Sequence, residues 1–244
     1  MQSQSPLYLM LDRNWAELVD DIASLTNARD DIFLTSDGLQ NRRDFVLLWQ
    51  GLGFRLDFGA MPGAAKNAQP IFAAPPADNG LSALAISFTD HLEGGQRVAE
   101  LAGAYLEFSA LLAKLLLAKA IYWAPGNLWV DSAYFTTTVE EYCGGGAFPV
   151  LSTVRIFWND SDTEVATQGL HWFSGQELHC TAAPGDCQNW TRRLVRIVHD
   201  IAVNGPVGES QMISDLIPGQ SIMLEVSEDG GTVWARICSE TELS

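Results

Sequence analysis

Apolar residues recur at the three- and four-residue spacing of an amphipathic helix near both ends of the chain. Asn14 precedes the first run, and Glu17 follows at the position of a capping-box partner. The second run covers residues 187–204 and stops at the N-G-P sequence that follows. The apolar positions of the two runs are Trp15, Leu18, Val19, Ile22, Leu25, Trp190, Leu194, Ile197, Val198 and Ile201. Each predicted helix should bury one face against a core.

The longest predicted helix, residues 95–118, is apolar over most of its surface. Glu100, Glu107 and Lys114 are seven positions apart, so they form one narrow polar stripe. Such a helix is either central to the fold or part of a subunit interface, and the second alternative would make the protein a homodimer. A further helix is predicted at residues 132–142, where the glycines of C-G-G-G end it.

Short apolar runs bounded by glycine, proline and polar residues predict strands. They are residues 7–11, 45–49, 54–58, 71–73, 84–88, 121–123, 128–130, 150–158, 165–173, 176–180, 222–226 and 232–237. Short turns join several of them, so the pattern predicts an α+β fold, mainly antiparallel sheet with a long buried helix. The order of elements is similar on the two sides of residue 82. Residues 1–82 and 83–244 are therefore either two related α/β sandwich halves or parts of one compact domain.

The sequence T-Q-G-L-H-W-F-S-G-Q-E-L-H-C, residues 167–180, brings two histidines and a cysteine close together. Residues 165–173 and 176–180 are predicted to form a hairpin with S-G as its turn. In that register His171 and His179 point to opposite faces of the sheet, because successive strand residues alternate. The spacing disfavours a metal pair, and we predict neither a metal nor a cofactor.

Two other patterns suggest binding chemistry that the spacing does not support. The acidic sequence N-D-S-D-T-E, residues 159–164, begins like a calcium-binding loop, but Val165 stands where that loop needs glycine. A solvated hairpin loop is therefore favoured. One face of the 187–204 helix either binds an anion or is an ordinary solvated face. Its charged residues are Arg192, Arg196 and His199.

The chain has 30 acidic and 14 basic residues, a formal net charge of −16. This charge repels phosphate backbones and anionic lipids, so we expect no nucleic-acid partner and no membrane partner. It would attract a basic protein, or it only maintains solubility. The first residues show no secretory signal, and charges interrupt the apolar stretch 98–124. We therefore expect a cytoplasmic protein with free thiols.

A series of motifs runs through residues 84–237. An apolar helix leads into A-I-Y-W-A-P-G-N, then G-L-H-W-F-S-G-Q-E-L-H follows, then a helix with W-x3-L-V and a closing hairpin. This part of the chain resembles a bacterial family known as a domain of unknown function, number four-two-six-one in its series. The most specific matches are Tyr122, Trp123, Gly169, Leu170, Phe173, Gln176, Glu177 and Leu178. The resemblance implies a cytoplasmic α+β protein and brings no established catalytic residues.

Two functions of different classes fit these patterns. The first is a non-catalytic immunity or inhibitor-type protein that neutralises a basic partner, such as a bacterial toxin effector. Its predicted binding residues are Asp160, Asp162 and Glu164. The alternative is an enzyme of unknown reaction, with a site that assembles only in three dimensions. The residues of that site would be His171, Glu177, His179 and Cys143.

Overall fold

The computed structural model describes residues 5–35, 43–72, 80–183 and 186–238. Its strands are β1 (Leu7–Leu11), β2 (Ile32–Leu34), β3 (Asp44–Trp49), β4 (Leu52–Gly59), β5 (Gln69–Ile71), β6 (Ser82–Phe88), β7 (Ala120–Trp123), β8 (Leu128–Asp131), β9 (Arg155–Trp158), β10 (Glu164–Gln168), β11 (Glu177–Thr181), β12 (Gln211–Ser214), β13 (Ser221–Val226) and β14 (Thr232–Cys238). Its α-helices are α1 (Trp15–Ala28), α2 (Ala99–Leu115), α3 (Ser132–Cys143), α4 (Val150–Thr153), α5 (Leu170–Ser174) and α6 (Cys187–Asn204). Short 3-10 turns lie at Gly63–Asn67, Asp90–Leu92 and Gly95–Arg97.

The larger sheet has eight strands in the order β2-β3-β4-β6-β1-β7-β8-β5. Strand β1 lies inside this sheet, antiparallel to β6 on one side and to β7 on the other. The other strand pairs of the larger sheet are antiparallel as well, except β5 with β8, which are parallel. Strands from both sides of residue 82 therefore share this sheet.

The smaller sheet has six strands in the order β12-β13-β14-β11-β10-β9. Strands β11 and β14 run parallel, and the remaining neighbours are antiparallel. One continuous apolar cluster contains buried residues of both sheets and of α1, α2, α3 and α6. Two mostly antiparallel sheets with packed helices confirm the predicted α+β fold.

Apolar and polar residues alternate along β3 and β4, so the apolar face of the larger sheet is buried. The buried side chains of these strands are Phe45, Leu47, Trp49, Phe54, Leu56 and Phe58. Phe54 stacks on Phe108 of α2 with ring centroids 4.1 Å apart, so this face packs against that helix. Asp44, Arg55 and Asp57 occupy alternate positions on the opposite face and are exposed.

Helix α2 is central to the fold, one of the two alternatives that its apolar surface predicted. Its buried residues are Ala102, Tyr105, Leu106, Phe108, Ser109, Ala110, Leu112 and Ala113. The Tyr105 hydroxyl donates to the Ile86 carbonyl of β6 at 2.7 Å, which satisfies the phenol inside the core. The helix begins later than predicted because Gly95–Arg97 form a 3-10 turn before it.

The two predicted amphipathic helices are confirmed as α1 and α6. At the start of α1, the Glu17 amide donates to the Asn14 side chain at 3.1 Å, and the Asn14 amide donates to the Glu17 carboxylate at 2.9 Å. The predicted capping box is therefore present. Helix α6 ends where Gly205 takes a positive φ of 96°.

Residues 150–158 were predicted to be one strand, and this prediction is wrong for the first part. Residues Val150–Thr153 form the short helix α4, and only Arg155–Trp158 form a strand. Pro149 precedes the helix, and its carbonyl accepts the Thr153 hydroxyl at 2.9 Å. A short apolar run cannot by its spacing distinguish a helical turn from a strand.

The predicted hairpin at residues 165–180 is also corrected. Strand β10 ends at Gln168 and β11 starts at Glu177, with helix α5 between them. Gly169 and Gly175 flank α5 with φ values of 106° and 81°, a conformation in which a strand cannot continue. The strands do pair, but Val165 lies opposite Cys180, so the short two-residue turn does not exist.

Three smaller differences concern edge strands. Strand β2, with only the three residues Ile32–Leu34, was not predicted. Strand β5 covers Gln69–Ile71 rather than residues 71–73, and Ala73 lies outside the described residues. Strand β12 was not predicted, since its exposed Q-M-I-S sequence lacks a clear alternation. None of the helices in the described part of the chain is long and apolar enough to cross a membrane.

Candidate functional site

Glu177 holds helix α5 in place by accepting hydrogen bonds from its first turn. One carboxylate oxygen accepts from the Gly169 amide at 2.7 Å and from the His171 amide at 3.2 Å. The other oxygen accepts from the Thr167 hydroxyl at 2.7 Å. These amides have no partner within the helix, so Glu177 acts as a cap. This capping role is sufficient to explain why a carboxylate stands at residue 177.

Gly169 brings the start of α5 against the turn between β7 and β8. A Cβ atom at this position would lie 2.7 Å from the Thr153 carbonyl oxygen and 2.9 Å from the Gly126 amide nitrogen. Any side chain would therefore force these backbones apart, in addition to straining the positive φ. Helix α5 follows β10 of the smaller sheet, and this close approach puts its first turn in contact with the β7–β8 turn of the larger sheet.

The two histidines of the quoted segment have different surroundings. His171 is exposed on α5, while His179 lies on β11 and packs on Trp234 with ring centroids 5.0 Å apart. The strand register predicted for His171 is wrong because this residue is helical. Within the described residues, no group of three His, Cys, Asp or Glu side chains could hold a metal ion.

Cys143 lies at the end of α3, and its thiol is not activated. The pKa of Cys143 is raised to about 11, chiefly by partial burial and also by the nearby carboxylates of Glu107 and Glu140. A thiol with this pKa is protonated at neutral pH and is a poor nucleophile. Of the four residues of the predicted enzyme site, Glu177 contacts His171 through its backbone amide, and Cys143 lies on a different helix.

An open cavity of about 790 Å³ lies at one end of the larger sheet, beside α5. Strands β4 and β6, the residues before β1, the β7–β8 turn, the segment after β6 and α5 all contribute to it. The described residues that line it are Ser5, Pro6, Arg55, Asp57, Ser87, Phe88, Thr89, Asp90, Glu93, Gly94, Gln96, Ala124, Pro125, His171 and Trp172. Of the four predicted enzyme-site residues, His171 belongs to this lining.

Acidic groups outnumber basic ones in the cavity. Asp57, Asp90 and Glu93 face one guanidinium, that of Arg55, which pairs with Asp90 at 3.1 Å. Asp57 also lies directly opposite Asp44 in the β3–β4 register. Two carboxylates directly opposite each other destabilise a sheet, so the stability of the fold does not explain the pair Asp44 and Asp57.

The segment after β6 is fixed to β4 by Thr89. Its amide and its hydroxyl both donate to the Gly53 carbonyl, at 3.1 and 3.0 Å. The single hydroxyl proton is thereby used, so Nδ1 of His91, 3.1 Å away, donates to the Thr89 oxygen. A Cβ atom at Gly53 would lie 2.7 Å from that oxygen. Glycine is needed here, and the cavity wall is held rigidly.

The predicted hairpin loop at residues 159–164 is confirmed, with Asp160 and Asp162 on the β9–β10 turn and Glu164 at the first position of β10. Asp160, Asp162 and Glu164 are all exposed. The Asn159 side-chain oxygen accepts from the Thr163 and Glu164 amides at 3.0 and 3.2 Å. Asn159 thus fixes the turn from within, and the three carboxylates project from a defined backbone.

The arginine of α6 that makes ion pairs is Arg193, which is not among the residues that the sequence pattern indicated. His199 accepts from the Phe148 amide at 3.0 Å, and Arg196 donates to the Ser214 carbonyl at 2.9 Å, so two of the three charged residues on this face bind backbone atoms. Arg193 is the buried one. It donates to Asp215 at 2.7 and 2.8 Å and to Asp186 at 2.9 Å.

Sequence reasoning missed most of the cavity residues because they come from segments far apart in the chain. The alternation along β4 is the signal that could have placed Arg55 and Asp57 on a polar face, and it was not used. No family model, no curated protein and no solved structure matches the chain, so the resemblance over residues 84–237 stays a prediction.

Proposed function

We propose that this chain is a non-catalytic binding protein that neutralises a basic protein partner, as an immunity protein or inhibitor does for a toxin effector. The observation that carries the proposal is the β9–β10 turn, on which Asp160, Asp162 and Glu164 are exposed together. Nothing in the folding of the turn requires three carboxylates, because Asn159 makes the hydrogen bonds that shape it.

The turn is suited to recognition because its backbone is already ordered. Besides the bonds to Asn159, the Asp162 amide donates to the Asn159 carbonyl at 3.1 Å, and Asp162 takes a φ of 54°. A preordered loop loses little conformational entropy on binding, so more of the interaction energy appears as affinity. Charge pairs at such a surface favour rapid and selective association.

The surroundings of the turn add an apolar contact. Phe157 on β9 is 37% exposed, and the Arg155 guanidinium lies 5.3 Å from its ring centroid. Strand β9 is at the edge of the smaller sheet. Aromatic residues are enriched in the buried centre of protein interfaces. The net charge of −16 would guide a basic partner towards this surface.

The test compares three tagged baits in the lysate of the native host, read by mass spectrometry. They are the wild type, the turn variant D160N/D162N/E164Q, and the control variant D20N/E209Q/E228Q, which removes three exposed carboxylates elsewhere. We expect one basic protein to be retained by the wild type and the control, to be depleted with the turn variant, and to be weakened in about 0.5 M salt. Equal retention by all three baits would contradict the role of the turn.

A further inference from the structure

Strand β9 leaves one edge of the smaller sheet unpaired. The Asn159 amide, just after the strand, donates to a carbonyl of β10 at 3.0 Å. Because hydrogen-bonded residues alternate along an antiparallel pair, the backbone groups of Arg155 and Phe157 also bond to β10. The amides and carbonyls of Ile156 and Trp158 therefore point away from β10, and among the described residues they have no hydrogen-bond partner. Such an edge is a template for a further strand.

The other edge strands of the two sheets are protected or shorter. Strand β5 contains Pro70, which has no amide proton to donate to a further strand. On β12, the Ser214 carbonyl accepts from Arg196 at 2.9 Å, so a side chain of the same chain uses this group. Strand β2 has three residues, Ile32–Leu34, whereas β9 has four. Of the edge strands described, β9 therefore offers the longest unprotected edge.

Opposite charges stand at the two ends of β9. Arg155 begins the strand, and its Nε atom is buried without a hydrogen-bond partner in the described part of the chain. Asp160 is exposed just after the other end, on the β9–β10 turn, and forms no ion pair with a described residue. Phe157 lies between them, with its ring exposed. A strand with an apolar centre and opposite charges at its ends is complementary to an antiparallel copy of itself.

We propose that β9 pairs with β9 of a second copy of this chain, antiparallel and centred on Phe157. In this register Ile156 lies opposite Trp158 of the second copy, and each such pair exchanges both of its hydrogen bonds. Phe157 meets Phe157 of the second copy on the exposed face of the sheet. Arg155 comes beside Asp160 of the second copy, so the guanidinium gains a carboxylate. The two smaller sheets then form one continuous sheet across a two-fold axis.

Sedimentation equilibrium of the purified full chain, from about 1 to about 500 μM, tests the pairing. We expect the average mass to rise with concentration from that of one chain towards twice that mass. The dissociation constant should lie in the micromolar range, because the four residues of β9 from each copy form a small interface.

The centre of the pairing is tested by a charge at position 157. The change F157K places two ammonium groups at the two-fold axis and should weaken self-association at least about tenfold. The Phe157 ring is on the exposed face of the sheet, so this change leaves the core intact. The matched control is F33K, because Phe33 is also exposed and lies on β2, an edge strand of the larger sheet. This control should associate as the wild type does.

The ends of the pairing are tested by exchanging charges. The changes R155E and D160K each place like charges side by side across the axis. Each should weaken self-association about tenfold, because the contact occurs twice in the dimer. The double variant R155E/D160K restores opposite charges in exchanged positions and should recover the wild-type association. Recovery separates an ion pair between copies from damage to the fold, since the double variant carries both changes. Urea denaturation checks that every variant is folded.

A cysteine at the centre tests the register. Residues directly opposite each other in a non-hydrogen-bonded antiparallel pair have Cα atoms about 4.5 Å apart, which a disulfide can bridge. The variant F157C should therefore form a disulfide-linked dimer under mild oxidation, seen by non-reducing electrophoresis. The wild type and F33C contain the same native cysteines and should remain single chains.

Three results would overturn the inference. They are a mass that stays that of one chain up to about 500 μM, a dimer that F33K dissociates and F157K does not, and failure of the folded R155E/D160K variant to recover association. The proposed function is tested separately, because these measurements use the purified chain alone. If a basic protein is retained from lysate but the chain stays monomeric, the function stands and the pairing falls. If the chain dimerises through β9 but no basic protein is retained, the function falls and the pairing stands.

Discussion

The carboxylates around Arg193 and those around the cavity differ in what they contact. Asp215 has no exposed side-chain surface and binds the buried Arg193 guanidinium through both oxygens. Asp57 and Glu93 are exposed and lack ion pairs in the described part of the chain. The first arrangement fastens α6 to the segment before β13. The second leaves negative charge available to a ligand, so the acidic excess of this chain contains at least two kinds of residue.

The largest expected effect comes from breaking the buried pair. The change R193M removes the guanidinium and leaves the Asp215 charge buried without its partner. Loss of one member of a buried pair costs about 3–5 kcal/mol, because the remaining charge stays desolvated. We expect a fall of that size in the free energy of unfolding, measured by urea denaturation.

The matched change is R236M, because Arg236 pairs with Glu225 at 3.3 Å where both side chains are about half exposed. Exposed pairs contribute about 0–1 kcal/mol, so this variant should remain close to the wild type. If both variants lost the same stability, the distinction between paired buried carboxylates and surface carboxylates would not hold.

A smaller decrease in the free energy of unfolding is expected when the pH is lowered. Burial by itself would raise the pKa of Asp215, but hydrogen bonds from the Arg193 guanidinium and the Leu216 amide lower the pKa overall. A carboxyl with a lowered folded-state pKa stabilises the protein above its unfolded pKa of about 4, and this stability is lost as the pH falls further. Wild-type unfolding free energy should therefore decrease below about pH 4.

The same titration sharpens the comparison in two variants. In R193M the Asp215 carboxyl loses the hydrogen bonds from Arg193 and keeps the one from the Leu216 amide, so most of the acid-induced decrease that Asp215 contributes should disappear. In D57N the decrease should match that of the wild type, because Asp57 is outside the buried pair. Urea unfolding from about pH 6 to about pH 2 measures all three proteins. An identical acid profile for R193M would show that Asp215 is not the responsible group.

A moderate effect is expected at the cap of α5. The change E177A leaves the Gly169 and His171 amides and the Thr167 hydroxyl without their acceptor. Loss of a helix cap costs about 0.5–2 kcal/mol, and hydrogen exchange of the two amides should become faster. The change E225A, on the exposed face of β13, is the control and should leave both exchange rates unaltered.

Local periodicity accounts for the elements that the sequence predicted well. Helices α1 and α6 and strands β3 and β4 each bury alternate or helically spaced residues, so their patterns are visible in a single stretch of chain. Helix α5 was missed because its aromatic residues favour a strand, and the deciding features are the positive φ of Gly169 and the acceptor oxygens of Glu177. At Gly169 the backbone also packs closely on Gly126, which is a tertiary contact.

The two candidate sites also differ in whether local sequence or tertiary contacts bring their residues together. The acidic turn lies within six consecutive residues, so the sequence predicted both its hairpin position and its exposed carboxylates. The cavity brings together Asp57, Glu93 and Trp172 from separate elements. No spacing rule connects these three, because their meeting depends on the sheet order and on the path of α5. His171 was named for its titratable chemistry, and its place in the cavity wall could not be derived from that.

The smallest expected effect on stability is the most informative about the turn. The variant D160N/D162N/E164Q removes three charges but none of the Asn159 hydrogen bonds that shape the turn. Asparagine also tolerates the φ of 54° at position 162. We therefore expect the free energy of unfolding to change by less than about 0.5 kcal/mol in urea denaturation, as for surface changes in general. A loss above about 1 kcal/mol would mean that the carboxylates stabilise the fold, as Asp215 does, and loss of a partner by this variant would then have to be attributed to unfolding.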